Sequence, residues 1–232
     1  MEVIWQGFKE AIGLIVRLEP EILNILATSL KVTGTAALIA MVIGMPIGTL
    51  VGLAQFRGRK LFITLVNTGM GLPPVVVGLF VFLLLSRYGP FGALEILYTP
   101  SAMVIAEVII ATPLVTGVTI AAIQALDPKL VLQILSLGAN WWQLFWTLVR
   151  EARLSMLAAI AAGFGAIISE IGAVLMVGGN IKGYTRVLTT AIVLETRQGN
   201  ISMAIALSII LLTLTFFINW AFTTVQQRRG LR

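Results

Sequence analysis

Long runs without a charged residue constrain this chain more than any other feature. Between Lys31 and Arg57 no charge appears for about 25 residues, and a run of about the same length separates Lys60 from Arg87. A helix of about 20 mostly apolar residues crosses the hydrocarbon core of a bilayer. Three further runs qualify: Ser101–Gln124, which contains Glu107; Leu154–Val177, which contains Glu170; and the stretch between Arg197 and Arg228. The sequence therefore predicts an all-α integral membrane protein with five transmembrane helices, forming a single domain over residues 1–232. Hydrophobic residues make up 58% of the chain and charged residues 11%, against about 45–50% and about 25% in a soluble domain. So few charges cannot cover a globule with a wettable surface. Disorder is excluded as well, because it needs low hydrophobicity and high charge.

The sequence contains no Cys and no His. Thiol nucleophiles, zinc sites of the usual kind and imidazole acid–base chemistry drop out. No G-x-x-x-x-G-K-[ST] loop is present, so the chain does not hydrolyse ATP by that route.

The formal net charge of +6 is gathered in short clusters. Arg57, Arg59 and Lys60 join spans one and two; Lys129, Arg150 and Arg153 lie between spans three and four; Arg228, Arg229 and Arg232 follow span five. Alternating helices put all three clusters on one side, which the positive-inside rule makes cytoplasmic. The N-terminus and segments 87–100 and 178–200 are then outside, and the C-terminus is cytoplasmic. Segment 178–200 carries Lys182, Arg186 and Arg197, so the asymmetry is incomplete. Residues 1–20 lack the positive leader and apolar core of a cleaved signal. Trp5, Phe8, Ile12 and Ile15 recur at helical spacing and predict an interfacial amphipathic helix over 1–20.

Gly44, Gly48 and Gly52 share one face of span one, and such faces let helix backbones approach closely. Generic packing is the favoured reading over a dimer seam. The stretch Gly71–Leu79, with Pro73 and Pro74, either starts span two or breaks it.

The link over residues 125–150 is the strongest functional signal. Asp127-Pro128 reads as a helix start, with Asp capping and Pro at the first position. Leu137-Gly138-Ala139-Asn140 follows the first apolar stretch, and Gly138 permits a sharp turn. Trp141, Trp142, Phe145 and Trp146 come next, a set of aromatics that should enter a partner's groove or the membrane interface. This link resembles the cytoplasmic loop of binding-protein-dependent ABC importer permeases, of pattern E-A-A-x-x-x-G-x9-I-x-L-P. Gly138 matches the glycine and Leu148 the Ile position. Leu132, Gln133 and Ile134 stand where E-A-A would be, and Arg150 and Glu151 where L-P would be. The stretch Glu170–Val193 resembles molybdate and tungstate permeases, most of all the tungstate-type branch.

That resemblance implies a type I ABC importer permease fold and a homodimer on two cytoplasmic ATPase subunits, which would bind ATP and Mg; this chain itself would hold no cofactor. An extracytoplasmic binding protein would deliver the oxyanion. The coupling helix, carried over, is Ala139–Phe145, and the ATPase-coupling residues are Gly138, Ala139, Asn140, Trp141, Trp142 and Phe145. Tetrahedral oxyanions need donors and positive potential along their route. Asn180, Lys182, Thr185, Arg186, Thr189 and Thr190 are therefore the expected anion-pathway residues. Glu107 and Glu170, the acids inside spans, are expected to pair with Lys182 and Arg186. Alternatives are a type I permease for another solute such as sulfate, phosphate or an amino acid, a membrane scaffold, and an intramembrane enzyme. The last is disfavoured by two isolated glutamates without His or Cys.

Overall fold

The computed structural model describes residues 19–230 and, nearer the N-terminus, residues 5, 8, 9, 12 and 13; for residues 228–230 it describes the backbone alone. The described residues are helical with short connections and contain no strand. Most of the surface helix expected over 1–20 lies outside the described residues. Trp5, Phe8 and Ile12, which are described, are exposed.

Helix α1 covers Pro20–Leu53. Pro20 opens it at a position where the missing N–H costs nothing. Lys31 thus lies within the helix rather than before it. At 34 residues, α1 is roughly 51 Å long and overreaches a bilayer core of about 30 Å. Arg59 closes its far end: Nε donates to Val51 O at 2.9 Å and Nη2 to Gly52 O at 3.2 Å. These are carbonyls that a helix end leaves without intrahelical partners.

Span two is broken. Helices α2 (Arg59–Met70) and α3 (Pro74–Leu85) have 12 residues each and meet at 97°. Each is roughly 18 Å long, too short to cross alone. Pro73 and Pro74 account for the break, because neither can donate the hydrogen bond that would continue α2. Helix α4 (Pro100–Gln124) matches the third expected span. Next come α5 (Pro128–Ser136), α6 (Trp141–Glu151) and α7 (Arg153–Ile168), with α6 and α7 at 69°. The fourth span stops at Ile168 rather than running to Val177, and the short α8 (Gly172–Gly178) follows after a turn. Helices α9 (Leu188–Arg197) and α10 (Ile201–Gly230) complete the chain. Among the described residues three helices are long and apolar enough to span by themselves, and five spans result if each bent pair counts as one.

Helix α4 is the hub, packed against α1, α2, α3, α7 and α8. Its tightest join is with α1. A Cβ built on Gly48 would sit 2.6 Å from Thr119 Cβ and 2.7 Å from the Thr116 carbonyl oxygen. The small-residue face of α1 therefore serves a helix crossing inside the chain.

One end of the bundle gathers the basic connections. Ile123, Leu144, Leu148, Ala152 and Met156 form a buried cluster there, with Leu53 packed against it. Gln226 Nε2 of α10 donates to Leu154 O at 3.2 Å, bringing the end of α10 to the start of α7. The α1–α2 turn, the α5–α6 link and the end of α10 thus share one end.

Candidate functional site

Two regions combine exposed side chains with a chemistry the rest of the bundle lacks. The first is the α5–Gly138–α6 elbow at the basic end. Asp127 Oδ1 accepts from the Lys129 N–H at 2.9 Å and caps α5, as the sequence predicts. Asn140 caps α6 reciprocally: its Oδ1 accepts from the Gln143 N–H at 2.9 Å, while Gln143 Oε1 accepts from the Asn140 N–H at 2.8 Å. Between the two helices Gly138 takes φ +79, a left-handed conformation that Cβ-bearing residues adopt at a cost. Nothing lies within 4 Å of a Cβ built there, so backbone geometry rather than crowding demands the glycine.

The elbow separates the aromatics by direction. Leu144, Phe145 and Leu148 turn inward, and Phe145 is 8% exposed. Trp141, Trp142 and Trp146 turn outward, as does Leu137 on the turn; Trp142 is 70% exposed and Leu137 87%. Phe145 stacks with Trp141 at 5.9 Å and meets Trp146 edge-on at 5.6 Å between ring centroids. Phe145 is thus a buried plinth for an apolar surface made by its neighbours. Outward indole rings at this density suit either a partner's groove or the membrane interface.

The second region is the turn between α8 and α9, at the opposite end. Here the threonines do structural work. Thr185 is fully buried; its hydroxyl donates to Gly178 O and accepts from the Ile181 N–H at 2.9 Å. Thr189 Oγ1 donates to Glu170 O at 2.9 Å, and Thr190 Oγ1 accepts from the Val187 N–H at 3.2 Å. None of the three presents its hydroxyl to an open surface. Asn180 has φ +52, and its buried Oδ1 has no partner among the described residues.

The bases of this turn differ from expectation in their partner. Lys182 Nζ lies 2.7 Å from Glu21 Oε2, and Arg186 Nη1 3.4 Å from Glu21 Oε1. Glu107 and Glu170 pair with neither. Glu107 is buried in α4, where Thr33 Oγ1 donates to its Oε1 at 3.4 Å and Oε2 has no partner among the described residues. Glu170 Oε1 accepts from the Ala173 N–H at 3.0 Å and caps the first turn of α8. Both line an interior void of about 10 Å³ with Ser29, Thr33 and Thr189, at the lower limit for one water. Glu21 gave no signal in the sequence. It stands 161 residues before Lys182, in a segment read as lying ahead of the first span.

The family described as binding-protein-dependent transport system inner membrane component matches residues 44–230. A tungstate uptake system permease protein from Peptoclostridium acidaminophilum is 38% identical over 227 residues, covering 98% of this chain and all of that protein. A probable anion ABC transporter permease protein from Haloferax volcanii is 41% identical over 203 residues, 85% of this chain and 88% of its own length. Among solved structures, the MetNI methionine ABC transporter in an inward facing conformation aligns over 90% of this chain and 95% of its own, with a TM-score of 0.71 at 17% identity. That likeness speaks to the fold.

Proposed function

Because the chain belongs to the family of binding-protein-dependent transport system inner membrane components, we propose that it is the membrane-spanning subunit of an ATP-driven importer for tungstate. The similarity to a tungstate uptake permease over 98% of the chain carries the choice of solute. Two copies of the chain would form the channel on two cytoplasmic ATPase subunits, which bind ATP and Mg. An extracytoplasmic binding protein would hand over the anion. The basic end faces the cytoplasm in this reading, as the positive-inside rule requires, and the α8–α9 turn faces outward.

The elbow would be the ATPase contact. Trp141, Trp142 and Trp146 offer the apolar surface, Phe145 supports it, and the caps at Asp127 and Asn140 hold the elbow's shape. A push on α6 is passed to α7 directly and to α4 through the cluster around Ile123 and Leu148, giving a rigid-body switch between outward and inward openings. At the other end, Lys182 and Arg186 share the single charge of Glu21, which leaves a net positive charge at the anion's entrance. Weak, partly neutralised attraction suits a route that must also release its ion. Thr185, Thr189 and Thr190 would shape this entrance rather than line it.

The deciding experiment is reconstitution with the cognate ATPase and binding protein in proteoliposomes. ATP-dependent uptake of tungstate, dependent on the binding protein, is expected. Uptake of sulfate, phosphate or an amino acid in its place would overturn the choice of solute, and binding of the ATPase without uptake of any solute would support a scaffold.

A further inference from the structure

A cavity of about 530 Å³ lies between α1 and α4, lined by Lys31, Thr35, Ser101, Val104, Ile105 and Tyr184 among others. Lys31 is level with Ser101 in the first turn of α4. From Lys31 to the end of α1 at Leu53 the helix rises roughly 33 Å, about one hydrocarbon thickness. Lys31 therefore stands at the membrane boundary, on the end that carries the α8–α9 turn.

The polar groups of this cavity are unspent. The Lys31 ammonium makes no ion pair or hydrogen bond among the described residues, and the side-chain hydroxyls of Thr35, Ser101 and Tyr184 make none either. Elsewhere in the spans Thr49, Thr112, Thr116, Ser208 and Thr215 each donate to the carbonyl four residues back, the usual way to satisfy a hydroxyl in lipid. All four residues are exposed, so the cation and its three unbonded hydroxyls face the headgroup layer at the membrane boundary and are open to an anionic acceptor from outside the chain.

We propose that this cavity binds the phosphodiester headgroup of a membrane lipid. The charges match, one lysine for one monoanionic phosphate. The shape matches as well. Val104 and Ile105 lie one turn deeper than Ser101 and meet the acyl chains, while Ser101, Thr35 and Tyr184 offer donors to the phosphate oxygens. A free doubly charged oxyanion would be left half neutralised on an apolar floor. The inference rests on the membrane embedding and not on the choice of tungstate as solute.

Native mass spectrometry of the delipidated complex, resupplied with phosphatidylglycerol or with uncharged diacylglycerol, tests the proposal. Wild type is expected to retain phosphatidylglycerol and not diacylglycerol. Lys31→Gln is expected to lower phosphatidylglycerol occupancy at least ten-fold, with Lys31→Arg restoring it and Lys60→Gln behaving as wild type. Equal occupancy in Lys31→Gln and wild type, or equal retention of diacylglycerol, would overturn the site. Displacement of the lipid by millimolar sulfate would assign it to a free oxyanion and overturn the lipid as occupant.

Discussion

Replacing Gly48 by Ala puts the packing logic of the bundle to a quantitative test. The new Cβ would lie 2.6 Å from Thr119 Cβ and 2.7 Å from Thr116 O. Carbon atoms rest at about 3.5–4.0 Å, so α1 and α4 must part by roughly 1 Å. Thr116 O is backbone and cannot swing aside. Overpacking of this kind costs about 1–3 kcal/mol. Ala also favours helix over Gly by about 1 kcal/mol, which would mask part of the loss if wild type were the only reference. Gly34 removes that difficulty. It lies in the same helix, and a Cβ built there meets nothing within 4 Å. Both variants gain the propensity term, but only Gly48→Ala bears the crowding. The difference between them should be about 1–3 kcal/mol, or about 2–12 °C in melting temperature at roughly 2–4 °C per kcal/mol. Thermal unfolding of the detergent-purified complex reads it directly. If Gly48→Ala melts at or above Gly34→Ala, the close α1–α4 contact is not what holds these helices together.

Gly138→Pro is expected to uncouple ATP hydrolysis from uptake while leaving membrane insertion intact. Proline cannot reach φ +79 and removes the N–H that donates to Leu135 O at 3.0 Å; uptake and ATPase rates measured together in proteoliposomes check it. Trp142→Ala, at an exposed position, should leave the melting temperature of the isolated subunit unchanged and weaken ATPase association by about 2 kcal/mol or more, roughly 30-fold, as read by co-purification titration. Glu170→Gln keeps an oxygen that accepts from the Ala173 N–H, whereas Glu170→Leu loses it, so only the leucine variant should lose about 0.5–2 kcal/mol; comparative melting of the two decides. Glu21→Gln should cost stability mainly through Arg186, whose side chain is 13% exposed. Lys182→Gln, at a side chain 66% exposed, should move it by no more than about 1 kcal/mol, as thermal unfolding of the two variants reads. The salt dependence of uptake is where the effect of Glu21→Gln should also show.

What the sequence disclosed depended on how local the physics was. The cap at Asp127 and the turn at Gly138 are decided within four residues, and the structure has them where the side-chain chemistry puts them, whereas the reciprocal cap of Asn140 and Gln143 went unread. The fifth span is legible from its charge gap and the third from its hydropathy despite Glu107. Lys31 misled as a border because a long lysine can stand inside a helix at the membrane surface. The break in span two hides within an uncharged run, since hydropathy counts apolar residues and is blind to direction; Pro73 and Pro74 left both a start and a break open. Hydroxyl orientation has no sequence signature, so Thr185, Thr189 and Thr190 looked available when they are engaged with backbone. Glu21 shows the limit most plainly: two bases chose a partner far away in the chain, which only the assembled bundle brings near.

The interlock of α1 with α4 has a mechanical corollary. Two shafts meshed so tightly, at Gly48 and again where Gly52 meets Ile123, turn as one spindle and cannot slide past each other without jamming. Whatever shape change the subunit makes must be absorbed elsewhere. The natural knuckle is the three-residue elbow at Gly71–Leu72–Pro73; because both stubby half-rods it joins rest on α4, a swivel there must shift their seats on the spindle.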